Sequence, residues 1–230
     1  MVSDLLLHDY LHYYKISSKG ISVDEQLTND EQFDLEDMPS PIKLKSFGDG
    51  TLSITDNHEK LEIVHYENFV GQCKRPASFL YGRKRCDYIL CSTEIDGNDN
   101  SHIILAELTS TLGTIDNLQE PIKNHHGEIL FEGGKYEKAQ KQLACSLANL
   151  MDVPEIKKLF VCMKDKQCIL AYKIIPYTDP VKRMQHPMQR YLSIESEETK
   201  ENGAILADAT INANGFTFRR LNHTASYKLG

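Results

Sequence analysis

Cys86-Asp87-Tyr88-Ile89-Leu90-Cys91-Ser92 and His102-Ile103-Ile104-Leu105-Ala106-Glu107-Leu108-Thr109 are the two stretches on which the reading of this chain turns. Each is a nearly continuous apolar run of strand length. Between them lies Asp96-Gly97-Asn98-Asp99-Asn100, a cluster of turn-forming residues. The pattern predicts a β-hairpin centred on Gly97. Without a bulge, facing residues in it have numbers totalling about 194, so Asp87 stands opposite Glu107 with Cβ atoms about 4.5–5.5 Å apart. Two like charges at that spacing destabilise a sheet unless something positive lies between them. A divalent cation with oxygen ligands, Mg2+ or Mn2+, meets that need. Blander placements fit the same residues. Asp87 follows Arg83-Lys84-Arg85 and could be an ion-paired strand start, and Glu107 could point to solvent at a strand end.

Working outward, residues 110–134 are polar and longer than an ordinary connection, which predicts a functional loop or an inserted hairpin. Residues 135–151 read as a helix with Tyr136, Ala139, Leu143, Leu147 and Leu150 on one face. Lys135, Lys138 and Gln142 fall within about 60° of one another beside that face. From there they can lean over a sheet edge toward the two carboxylates; a solvated lysine-rich face is the plainer alternative.

The remaining segments are read more coarsely. Residues 1–14 form an N-terminal helix with Leu5, Leu6, Tyr10, Leu11 and Tyr14 on one face, lacking the basic leader and small-residue cleavage site of a secretion signal. Residues 24–41 are acidic and predict a loop or short helices. Residues 42–55 predict a hairpin turning at Gly48-Asp49-Gly50, and residues 61–70 a strand or a short helix. Residues 159–175 predict an apolar hairpin turning at Lys164-Asp165-Lys166. Residues 204–211 and 216–221 predict two strands around Asn214-Gly215. The expected organisation is an N-terminal helical and acidic segment, 1–41, packed on an α/β domain spanning 42–230.

Composition narrows the function classes. At 230 residues and 40% hydrophobic, the chain can bury a sizeable core. A net charge of −7 argues against indiscriminate nucleic-acid binding, so any contact must come from local basic patches or bridging cations. No apolar run approaches a membrane span, and a cytoplasmic location without membrane partners is expected. The six cysteines make no CxxC pair and read as reduced thiols in strands and helices, with a zinc site at Cys73, Cys86 and Cys91 poorly spaced. His125-His126 reads as a surface loop. Glu132-Gly133-Gly134-Lys135 is too short for a phosphate-binding loop of the Walker type, and no Gly-x-Ser-x-Gly elbow or dinucleotide fingerprint is present.

A strand–turn–strand unit with an acid on each strand, followed by a helix, resembles the PD-(D/E)XK nuclease core. Arg85-Cys86-Asp87-Tyr88-Ile89-Leu90 matches its first element, Ile104-Leu105-Ala106-Glu107-Leu108-Thr109 its second, and Lys138-Ala139-Gln140-Lys141-Gln142-Leu143 its A-x-x-Q-L helix pattern. The resemblance covers about residues 79–175 and departs at Thr109, where the family carries lysine. It implies a restriction-endonuclease-like fold, a central mixed β-sheet flanked by helices with N-terminal helical and β-hairpin additions. It also implies Mg2+ or Mn2+ held by Asp87 and Glu107, with Lys138 or Lys135 replacing the strand lysine and Gln142 orienting water or ligand. Arg83, Lys84, Arg85 and Lys135, with Lys74 and Arg75 upstream, would meet phosphates. Glu59 and Glu62 are possibilities for a third acid; apart from the resemblance, Lys182, Arg183 and Arg190 read either as an extension of the basic surface or as partners of the nearby acidic stretch. The implied activity is metal-dependent hydrolysis of DNA, or of RNA, in bacterial antiviral defence or DNA processing. The alternatives are a catalytically silent relative that works as an accessory subunit in a larger complex and, outside the resemblance, an unrelated α/β binding domain. A second copy of the chain is a further candidate partner.

Overall fold

The computed structural model describes residues 1–37, 41–73, 85–94, 101–179, 181 and 197–230. Strands β1 (Glu25–Thr28), β2 (Phe33–Leu35), β3 (Leu52–Thr55), β4 (Leu61–His65), β5 (Tyr88–Ser92) and β6 (His102–Leu112) come from the first half of the chain. A short β7–β8 pair (Ile122–Lys123, Ile129–Phe131) precedes β9 (Asp165–Ile175), β10 (Ala204–Leu206), β11 (Thr217–Asn222) and β12 (Ser226–Lys228). The main sheet has seven strands in the order β1-β4-β5-β6-β9-β11-β10. Strand β9 runs parallel to β6 and β11, and the other pairings in this sheet are antiparallel. The chain is therefore an α/β protein built on a large mixed sheet.

The N-terminal helix α1 is α-helical over Val2–Leu5, π over Leu6–Tyr10 and α again over Leu11–Tyr13. It is followed by α2 (Tyr66–Gln72), α3 (Gly134–Met151), α4 (Pro154–Cys162) and α5 (Ala209–Ala213). Because side chains alternate across a strand, the central strands feed two separate cores. Ile89, Cys91, Ile103, Leu105, Cys168, Leu170 and Tyr172 join the core beneath the helices. Tyr88, Leu90, Ile104, Ala106, Leu108, Ile169 and Ala171 join a second core against Phe33, Leu52, Ile54 and Tyr227. Those last residues belong to a small sheet of order β12-β3-β2, so one face of the main sheet carries helices and the other a second sheet. Helix α3 crosses from β6 toward β9 with Tyr136, Ala139, Leu143, Leu147 and Leu150 buried, the face expected from their spacing.

Four expectations are corrected. Residues 159–163 lie in α4 rather than in a strand. Pro154 opens that helix at a position where its missing N–H is not needed, and Ile156 and Phe160 bury one face at four-residue spacing. Only residues from Asp165 onward form a strand, and it pairs with β6 instead of a neighbouring hairpin arm. Residues 24–41 supply β1 and β2 rather than helices or loop alone. Residues 52–54 pair with β2 and β12, while Lys45 bridges to Asp34, so 42–55 is not a hairpin. Buried Asp34 fixes the intervening turn by accepting from Gly48 N (2.9 Å) and Gly50 N (2.7 Å). Residues 204–211 divide between β10 and α5. Residues 61–70 contain both proposed elements in succession, β4 and then α2.

Among the described residues no helix is long and apolar enough to cross a membrane. All six cysteines are free thiols; Cys86, Cys91 and Cys168 are buried, whereas Cys162 is exposed.

Candidate active site

Strands β5 and β6 pair with Tyr88 opposite Ala106, Ile89 opposite Leu105 and Leu90 opposite Ile104, the register expected for the hairpin. Its turn, residues 96–100, lies outside the described residues. Asp87 sits one step before β5 begins. Its backbone N–H donates to Ala106 O (3.0 Å), and its carboxylate Oδ2 accepts from Leu108 N (2.6 Å). The side chain thus takes over as acceptor for β6 where the backbone ladder stops. Asp87 and Glu107 follow the parity of Ile89 and Leu105, so both carboxylates project toward the helix-covered face, at the N-terminal part of α3.

There they line one cavity of about 370 Å³ with Asp37, Glu67, Lys135 and Lys138. Thr109, Ile122 and Gln142 also face it. Asp87 is 5% exposed and Glu107 6%. Burial pushes the Asp87 carboxyl up to about 8, with Asp37 and Glu67 adding to the rise and Leu108 N and Lys138 opposing it. Glu107 is pushed up in the same direction, first by burial and then by the Asp87 charge, with Lys138 again opposing. Among the described residues, Oε2 of Glu107 is buried without a hydrogen-bond partner. A buried acceptor left open this way is expensive unless a ligand, an ion or a proton completes it.

Helix α3 is locked to this corner. Gln142 Nε2 donates to Arg85 O (2.8 Å), and Cys86 N donates to Ser146 Oγ (2.8 Å). Gln142 therefore holds the chain leading into β5. Its Oε1 is buried without a hydrogen-bond partner among the described residues, and Gln142 lines the cavity. Lys135 Nζ donates to Ser110 O (2.6 Å), so this lysine straps α3 to the end of β6. Lys138 is the cation whose charge acts on both carboxyls. The Arg85 guanidinium faces Glu67 Oε1 at 3.5 Å. Arg83 and Lys84 lie outside the described residues, as do Lys74, Arg75, Lys182, Arg183 and Arg190.

Neither Glu59 nor Glu62, the two possibilities for a third acid, lines the cavity. Glu62 accepts from Val2 N (2.6 Å) and Ser3 N (3.0 Å), capping α1. Glu59 faces His102 Nε2 at 3.5 Å. The acids that reach the cavity are Asp37, just after β2, and Glu67, in the first turn of α2. Glu67 N donates to Asp87 O (3.2 Å), which registers α2 against the start of β5. Nothing in the local pattern around Asp37 or Glu67 marks them, because long-range strand pairing delivers both.

Among the described residues no group of three or more His, Cys, Asp or Glu is placed to hold one metal ion. Asp87 and Glu107 are a two-carboxylate donor set. That suits Mg2+, which retains several waters and takes one or two carboxylates with substrate phosphate, and does not suit an all-protein cage. No family model matches the chain, and neither a curated protein nor a solved structure does.

Proposed function

We propose that the chain is a metal-dependent nuclease of the restriction-endonuclease-like class, hydrolysing phosphodiester bonds in the Asp87/Glu107 cavity. The observation that carries this reading is the pair of buried carboxylates facing across β5 and β6, with an open acceptor on Glu107 and Lys138 in the same cavity. The surrounding topology supports it. Two antiparallel strands each bring an acid, the following helix α3 brings a lysine and a glutamine, and the chain returns as β9 beside β6. Asp87 and Glu107 would hold Mg2+ or Mn2+, which would supply charge neutralisation at phosphate and a bound water more acidic than bulk water. Lys138 favours negative charge accumulating in the cavity, the task that the strand lysine would perform where Thr109 stands. Gln142 keeps α3 and the start of β5 at fixed separation, so the lysine and the carboxylates stay in register.

Two observations favour the catalytically silent alternative, an accessory subunit. Thr109 replaces the strand lysine, and the Lys135 amine is held by Ser110 O. Incubation of wild type and an Asp87→Asn/Glu107→Gln variant with plasmid, single-stranded DNA and RNA in Mg2+, Mn2+ or EDTA separates the two readings. The nuclease requires cleavage that depends on the cation and disappears in the variant. Folded wild type that binds the cation and leaves every substrate intact supports the accessory role.

A further inference from the structure

Beside the cavity stands a feature that the acid pair does not use. The β7–β8 hairpin inserted between β6 and α3 carries Ile122 into the cavity wall, and it leaves Ile129 (51% exposed) and Leu130 (53%) uncovered. A regular strand turns successive residues to opposite sides. Here Ile122 pairs with Phe131 and Lys123 with Ile129, so Leu130 is an extra residue in a bulge, and two consecutive aliphatic side chains end in solvent. The hairpin is also preformed. Asn124 Oδ1 accepts from His126 N (2.9 Å) and Glu128 N (3.0 Å), and Asn124 N donates to Glu128 O (2.9 Å). At the tip the exposed rings of His125 and His126 lie 3.8 Å apart. At the root Gly134, with φ of +63°, is wedged so tightly that a Cβ would stand 2.5 Å from Leu118 O. Lys141 sits 5.2 Å from the Phe131 ring, clamping β8 to α3.

We infer that this hairpin is a base-contacting finger, and that the substrate of the adjoining cavity is a single-stranded or frayed nucleic-acid strand. The inference rests on the proposed phosphodiester site and names its substrate class. Exposed aliphatic side chains on a rigid hairpin are suited to lie against unstacked base faces or to wedge between base steps, and histidine rings stack on bases. Carrying Ile122 into the cavity, the hairpin sets its outer residues beside the path of a strand whose phosphate lies at Asp87 and Glu107.

The test is fluorescence anisotropy of labelled single-stranded DNA, single-stranded RNA and blunt duplex, with Ca2+ as the non-hydrolytic cation. It compares wild type, Ile129→Ser/Leu130→Ser and His125→Ala/His126→Ala, with melting temperature confirming the fold of each exposed-site variant. Wild type should bind a single strand at least ten-fold tighter than duplex, and each hairpin variant should weaken strand binding by roughly ten-fold. Equal affinity of variants and wild type, or a preference for duplex, overturns the finger while cleavage by wild type leaves the nuclease reading standing. A change in sedimentation coefficient with unchanged strand affinity also overturns it, assigning the hairpin to contact between protein chains. Absence of binding and of cleavage on every nucleic acid removes the nuclease reading and this inference with it.

Discussion

Replacing Asp87 by asparagine should make the metal-free protein more stable at alkaline pH. Asparagine keeps an oxygen to accept from Leu108 N and removes the buried charge. In the unfolded chain an aspartate ionises near 3.8, whereas burial in the fold pushes Asp87 up to about 8. Between those values the folded chain holds a proton that the unfolded chain releases, so stability falls as pH rises through that window. At about 1.4 kcal/mol per pH unit, Asp87 alone withdraws roughly 4 kcal/mol between pH 5 and pH 8. Glu107 is raised for the same reason and acts in the same direction. For a chain of this size 1 kcal/mol corresponds to about 2–4 °C, so the wild-type Tm should drop about 10 °C relative to Asp87→Asn across this range. Differential scanning fluorimetry in EDTA at half-unit pH steps reads the effect. Parallel Tm profiles for the two proteins would refute the claim that Asp87 ionises at a large cost in the fold.

Three further outcomes are expected. If the chain cleaves nucleic acid, Lys138→Met should lower the rate by about 10²-fold with little change in Tm, read by single-turnover kinetics; a full-rate variant would remove Lys138 from the chemistry. Gly134→Ala introduces a Cβ against Leu118 O and Glu120 O at a φ of +63°, so it should lower Tm and weaken cation binding together by shifting the start of α3. Leu147→Ala empties a fully buried position between α3 and the sheet and should destabilise by about 2–5 kcal/mol in urea titration, with no change in the pH dependence assigned to Asp87.

How far the chain could be read before its structure depended on the range of the interactions involved. The β5–β6 register was legible because two strong apolar runs flank a turn cluster, and strand periodicity then places Asp87 opposite Glu107. Helix α3 was legible because five apolar residues recur at helical spacing over four turns. Residues 159–163 were misread because a short apolar run looks alike in a buried strand and a buried helix, and Pro154 at the helix start was the signal that could have decided it. The inserted hairpin was one of two readings, and its exposed Ile129 and Leu130 depend on a bulge that pattern alone does not reveal. Asp37 and Glu67 reach the cavity through β2, β4 and α2, and the small sheet joins Ile54 to Tyr227 from opposite ends of the chain. Such pairings leave no local periodicity to read.

The central claim is that Asp87 and Glu107 form a cation site, and Mn2+ titration followed by electron paramagnetic resonance at pH 7.5 tests it most directly. The account predicts saturable binding by wild type that is lost in Asp87→Asn/Glu107→Gln and weakens as pH falls, because protons compete for the raised carboxyls. Wild type and variant binding Mn2+ alike, or folded wild type binding none, would contradict it.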